Sequence, residues 1–240
     1  MSDKIKKSIV IQGSILAMAG IISKIIGFIY RIPMANIIGN EGNGIYSVAF
    51  GIYGIVLTMS SYSMPIAVSK LMSERLAGKR YKDADKVFKR ALIFAMTTGL
   101  IACLVLFFGA GIIAGIYKRD GLERPLRVLA PTVFVVAMLG TCRGYFQGHR
   151  NMVPTAISQV IEQIINAIVS VVAAGIFVKS CSDEALSGSY GAMGGTMGTL
   201  AGATAALLIF VMLFIVRRGE RKSELSGDDV VTEDNAIIFK

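Results

Sequence analysis

Three stretches of this chain, 42–69, 91–117 and 185–216, contain no charged residue. Each exceeds the ~20 residues that an α-helix needs to cross the ~30 Å hydrocarbon core of a bilayer. In hydrocarbon no water serves the backbone N–H and C=O groups, so such runs must satisfy them internally, as helices do. The composition agrees: 54% of residues are hydrophobic, the mean hydropathy is +0.63, and only 17% are charged, against about 25% in a soluble domain. The expected fold is all-α, a polytopic membrane bundle of six transmembrane helices at 8–32, 45–68, 89–116, 125–146, 154–178 and 189–216. The fourth span is the least apolar, and Arg127 and Arg143 at its flanks are expected to snorkel outward.

The net charge of +9 is distributed as an orientation signal, not as a nucleic-acid footprint. Seventeen Lys and Arg fall on one side of the expected spans, among them Lys4, Lys6, Lys7, Lys70 to Arg90, Arg143, Arg150 and Arg217 to Lys222, against five on the other. The positive-inside rule then puts both termini in the cytoplasm. The 70–90 segment reads as an extension of the second span, a turn at Gly78 and an amphipathic lead into the third. It serves either as a topology signal or as a contact for anionic lipid. Cys103, Cys142 and Cys181 show no metal-type spacing, and His149 has no ligand partner in sequence, so no metal site or nucleophilic pair is expected. Ser223 to Asn235 is polar and acidic, and Ala236–Phe239 turns apolar again. Residues 1–222 are therefore expected to form one lobe, with 223–240 a cytoplasmic linker toward a second lobe.

Several residues stand out because they lie at membrane depth. Lys24 and Arg31 are seven apart, about 700° of helix rotation, and so share a face. A charge at that depth costs at least a few kcal/mol. Gly13, Gly20 and Gly27 lie on the same stripe, which either admits a close helix or leaves room beside a polar cavity. Pro33 is expected to end or bend this helix. On the fifth span Gln159, Glu162, Gln163, Asn166 and Ser170 make one polar face, lining either a cavity or a hydrogen-bonded seam between helices. Glu162 is either the counter-ion of Lys24 or a protonatable switch. On the sixth span Gly191, Gly194, Gly195, Gly198 and Gly202 form GxxxG steps, read as helix packing. Ser60, Ser61, Ser63 and Pro65 interrupt the second span, a discontinuity that favours a transporter over a passive anchor.

The runs Ser23 to Pro33 (SKIIGFIYRIP), Glu41 to Tyr46 (EGNGIY), Pro65 to Leu71 (PIAVSKL), Arg143 to Gly148 (RGYFQG) and Met152 to Gln163 (MVPTAISQVIEQ) carry a resemblance. They resemble the stage V sporulation protein B group of polysaccharide-type flippases. These belong to the MOP superfamily, with the lipid II flippases and the MATE exporters. The resemblance implies two six-helix lobes facing each other in a V, of which this chain is the N-terminal one. It implies alternating access and translocation of undecaprenyl-pyrophosphate-linked saccharide, without enzymatic activity and without a cofactor. Lys24 and Arg31, with Arg143 at the cytoplasmic mouth, would hold the pyrophosphate. Gln159, Gln163 and Asn166 would hydrogen-bond sugars, and Glu162 would hold the cations in the empty cavity. The implied partners are the lipid-linked saccharide, the bilayer, and a second lobe or a second copy. A MATE-like cation-coupled exporter, an integral-membrane lipid-linked sugar transferase and a scaffold without transport are the rival readings.

Overall fold

The structure is a computed structural model and describes residues 3–60 and 63–219. Its order is α1 (Asp3–Ser60), α2 (Met64–Ala77), α3 (Tyr81–Tyr117), α4 (Glu123–Gly148), α5 (Val153–Ser180) and α6 (Glu184–Val216). The side chains of Lys4, Lys6 and Lys7 and all of 220–240, including the expected linker, lie outside the described residues.

Helix α1 contains the first two expected spans. Straight, its 58 residues would run ~87 Å, nearly three bilayer cores. It breaks at Gly39, where φ is 68° and ψ is −178°, a region open in practice to glycine alone. The two arms then lie together: the Arg31 guanidinium stands 5.9 Å from the centre of the Tyr46 ring. Gly195 of α6 faces both Met34 and Tyr46. The break expected at Pro33 is thus found six residues later, with Pro33 inside the helix. A proline removes one hydrogen bond but keeps a helical φ, whereas the turn needs the positive φ that Gly39 supplies.

The second span also differs from expectation. Its described residues run to Ser60, and beyond the undescribed 61–62 the helix beginning at Met64 has Pro65 in its first turn, where the missing N–H has no partner to lose. Helix α2 runs on to Ala77, a turn follows at 78–80, and α3 begins at Tyr81. Five helical runs among the described residues are long and apolar enough to cross a membrane, the first being Val10–Ala77. The difference from six arises because Gly39 folds one run into two arms.

The weakest span of the sequence is the middle of the bundle. In α4, 61% of the most apolar window is buried, against 22% or less in the other runs. It packs against α1, α2, α3, α5 and α6. A helix sheathed by protein needs little apolar surface for lipid, which is why its sequence is the most polar of the set. Arg143 correspondingly turns inward, with its side chain only 15% exposed, instead of snorkelling outward.

Lipid tails are as apolar as leucine, so helices in a membrane associate through close packing more than through hydrophobic burial. Glycines supply that contact here. A Cβ on Gly194 would lie 2.7 Å from the backbone of Ala173, one on Gly198 would meet Ser170 and the Asn166 carbonyl, and one on Gly202 would meet the Glu162 carbonyl. This ridge of α6 therefore rests on the backbone of α5. Gly191 takes Ile38 and Val178 on the neighbouring stripe. Gly144 and Gly148 of α4 do the same for α2, facing Pro65, Val68 and Met72.

Two stability measurements test this packing in detergent-solubilised protein. Gly198→Val should destabilise the bundle by about 1–3 kcal/mol or more, because the clash is with backbone. Gly175→Ala, which faces open space, should leave the melting temperature unchanged. Gly39→Ala should cost about 1–3 kcal/mol through strain at positive φ; an unchanged melting temperature would show that Gly39 does not need its unusual backbone.

Candidate functional site

The polar face of α5 is divided among three neighbours. Glu162 accepts a hydrogen bond from Arg143 Nη2 of α4 at 2.6 Å, and the Arg143 Nε and Nη2 groups both lie 3.3 Å from Ser158 Oγ. Ser158 in turn donates to the Thr155 carbonyl at 2.8 Å. The carboxylate is 18% exposed and its guanidinium partner 15%, so both charges are largely removed from solvent and compensate each other. Glu162 lies nine residues into α5, ~14 Å from its start and close to mid-membrane.

Asn166 and Ser170 turn toward α6. Ser170 Oγ lies 2.7 Å from the Gly195 carbonyl and 2.9 Å from Asn166 Oδ1. Thr199 reaches the same Oδ1 at 3.4 Å, and Asn166 Nδ2 donates to the Tyr30 hydroxyl at 3.4 Å. Asn166 is 6% exposed and Ser170 fully buried, so this part of the face is a seam between helices, not a cavity wall. Gln163 points at α1: its Oε1 lies 3.7 Å from where a Cβ on Gly27 would stand. Gln159 Oε1 is buried without a hydrogen-bond partner, as is Ser23 Oγ of α1. Polar atoms left unsatisfied in a dry environment cost a few kcal/mol each, which marks the α1–α5 contact as a place where a ligand or water gains hydrogen bonds.

The cations of α1 are separate from all of this. Lys24 is exposed and has no ion pair among the described residues; Arg31 is exposed and makes its contact with the face of Tyr46. A Cβ added to Gly13 or Gly20 would meet nothing within 4 Å. The Gly13–Gly20 part of the stripe therefore faces open space, while at Gly27 it meets Gln163 of α5 and at Arg31 the ring of Tyr46. The pairing of Glu162 with Lys24 is corrected: the carboxylate belongs to Arg143. Helical spacing fixes which residues share a face, but which neighbour turns toward that face depends on how α4 is rotated in the bundle.

Two contacts had little sequence signal. Gln12, isolated in the apolar first span, accepts the Met152 N–H at 2.8 Å and ties the start of α5 to α1. Beyond the other end of the bundle, Arg124 donates to Ser189 at 3.0 Å and stacks 4.5 Å over Tyr190, while Ser189 donates to the Gly121 carbonyl at 2.7 Å. The basic loop before α4 is thus fastened to the start of α6.

Residues 10–226 match the model of a family described as polysaccharide biosynthesis protein. Stage V sporulation protein B of Bacillus subtilis is 31% identical over 73% of this chain and 34% of its own length. The lipid II flippase MurJ of the same organism is 31% identical over 64% of this chain and 30% of its own length. The chain thus spans about a third of the length of these relatives. Among solved structures, a mutant of a MATE protein superposes with a TM-score of 0.75 at 16% identity, over 93% of this chain and 48% of that one. A MOP superfamily transporter from Pyrococcus furiosus gives 0.68 at 17% identity, over 89% and 45%. Both show the fold, and in each case that fold covers just under half of the neighbour. A multi-pass membrane bundle with the MOP architecture, matched by the family model over most of its length, this chain belongs to the polysaccharide biosynthesis protein family.

Proposed function

We propose that this chain forms the N-terminal lobe of a flippase that moves an undecaprenyl-pyrophosphate-linked saccharide across the membrane by alternating access. The observation that carries the reading is Lys24: a cation near mid-membrane, exposed on an open glycine stripe, without an ion pair among the described residues. An uncompensated charge at that depth is expensive, and an anionic ligand offsets the cost. Arg31, one step further along the stripe, adds a second cation for a diphosphate. Stage V sporulation protein B and the lipid II flippase MurJ are the relatives that suggest the substrate class.

The roles of the remaining polar residues follow from their bonds. Gln159 and Gln163, beside α1, offer hydrogen bonds to the saccharide. Asn166 is engaged with Ser170, Tyr30 and Thr199 and contributes to the wall behind the site. Arg143 is engaged by Glu162 and Ser158 and reaches the substrate only after leaving Glu162. The polyprenyl chain stays in lipid, and a second lobe or a second copy completes the cavity. The density of Lys and Arg in the loops supports cytoplasmic termini. A cation-coupled exporter needs a free carboxylate for its cargo, and Glu162, at membrane depth, is neutralised by Arg143.

Two experiments test this. Lys24→Ala in the protein as its host encodes it should abolish complementation of a flippase-depleted strain at unchanged protein level, and Lys24→Arg should retain part of it. Normal growth of the alanine variant would remove Lys24 from the mechanism. Arg143→Met and Glu162→Leu singly should each destabilise the bundle by about 3–5 kcal/mol, since each leaves one buried charge alone. The double variant should recover most of the melting temperature while losing transport.

A further inference from the structure

Away from the α1 stripe, at the end of the bundle that carries most of the Lys and Arg, two turns meet. One joins α2 to α3 and the other joins α4 to α5. Between them lies a crevice of about 290 Å³ lined by Ser73, Leu76, Ala77, Tyr81, Gly148, His149 and Arg150. Both turns carry a cationic residue at positive φ, Lys79 at 56° and Arg150 at 57°. A side chain rarely adopts this conformation; both cations are exposed, Arg150 in the lining of the crevice and Lys79 in the turn beside it.

The acids of the region have cations near them. Asp83 is bound by Arg80 at 2.8 Å and approached by Lys86 at 3.8 Å, Asp85 is bound by Lys89 at 2.8 Å, and Glu74 lies 4.0 Å from Arg75. The cations of Lys79 and Arg150 have no such carboxylate among the described residues. His149 donates from Nδ1 to the Tyr145 carbonyl, 2.9 Å away, which leaves Nε2 as its remaining polar edge. Tyr81 adds a hydroxyl. The backbone N–H groups of Lys79, Arg80, His149, Arg150 and Asn151 are already bonded to carbonyls of the preceding helices, and that of Met152 to Gln12, so a ligand here is held by side chains.

We propose that this crevice is a phosphate-binding site, and that it takes the phosphodiester headgroup of an anionic lipid. A small pocket lined by Arg150, a histidine and a phenol, with no carboxylate in its lining, suits a phosphate oxyanion. It opens at the ends of membrane-spanning helices, where anionic headgroups are concentrated and each nearby cation gains about 1 kcal/mol. Its ligand bridges the α2–α3 turn and the end of α4. These are the elements that Gly144 and Gly148 press together, so occupancy fastens α2 to the central helix. The site is independent of the Lys24 stripe and of the substrate assigned to it.

The test uses purified full-length protein in phosphatidylcholine nanodiscs, with and without phosphatidylglycerol. Phosphatidylglycerol should raise the melting temperature of the wild type by several degrees. The double variant His149→Gln, Arg150→Gln should lose most of that rise, with the apparent lipid affinity falling about fivefold for each basic contact removed. Arg127→Gln, an exposed cation on α4 away from the crevice, should keep the full response. Inorganic phosphate in the phosphatidylcholine discs separates the sources. No shift assigns the site to lipid, whereas a shift lost in the double variant keeps the phosphate site but gives it a soluble ligand and overturns the lipid assignment. Equal responses of the wild type, the crevice variant and Arg127→Gln would overturn the site itself.

Discussion

The bundle depends on backbones that touch. With lipid outside and no hydrophobic gain from exchanging lipid for leucine, α6 stays on α5 because Gly194, Gly198 and Gly202 let it settle against the carbonyls and amides of that helix. The same contact fixes the rotation of α5. Once α6 occupies the Asn166–Ser170 side, Glu162 must face α4 and Gln163 must face α1. The charge arrangement of the lobe is therefore a consequence of where glycines permit close approach.

That arrangement separates two kinds of cation. Arg143 is buried, paired at 2.6 Å and braced by Ser158, so its charge is compensated within the protein. Lys24 and Arg31 are exposed and have no ion pair among the described residues, Arg31 resting on the Tyr46 ring. A buried ion pair contributes little net stability once desolvation is counted, yet breaking it is expensive. The Arg143–Glu162 pair therefore fixes how α4 faces α5 more than it adds net stability. The orphaned Ser23 and Gln159 atoms lie in the α1–α5 contact between these two systems, where polar ligand groups would find partners waiting.

Much of this was legible in the residues, for identifiable reasons. Long uncharged runs have one stable solution in lipid, so the later spans were readable, α4, α5 and α6 to within about five positions of the expected bounds. The turn at Gly78 was readable because charge and apolar residues change character there. The polar face of α5 followed from helical spacing alone. The glycine steps of α6 were also read rightly as packing; what failed was which neighbour a given residue meets. Pro33 was the obvious breaker, but the chain needed positive φ and used Gly39. Arg143 looked like a snorkelling flank because its helix looked weak, when that helix is weak because protein surrounds it. Glu162 was offered Lys24 because both were conspicuous, but a helix-face argument contains no distance between helices.

The sequence by itself determined that this chain is a membrane bundle, which residues lie at membrane depth, and which of them share a helical face. These follow from rise, rotation and the cost of unsatisfied groups in hydrocarbon, all of which are local. Only the tertiary structure decided that α4 is the centre, that Glu162 belongs to Arg143, that Asn166 is spent on a seam, and that the Lys24 stripe is left open. Those outcomes depend on how each helix is rotated against the others. The rotation is set by close contacts between residues far apart in the chain, a quantity that no single helix carries.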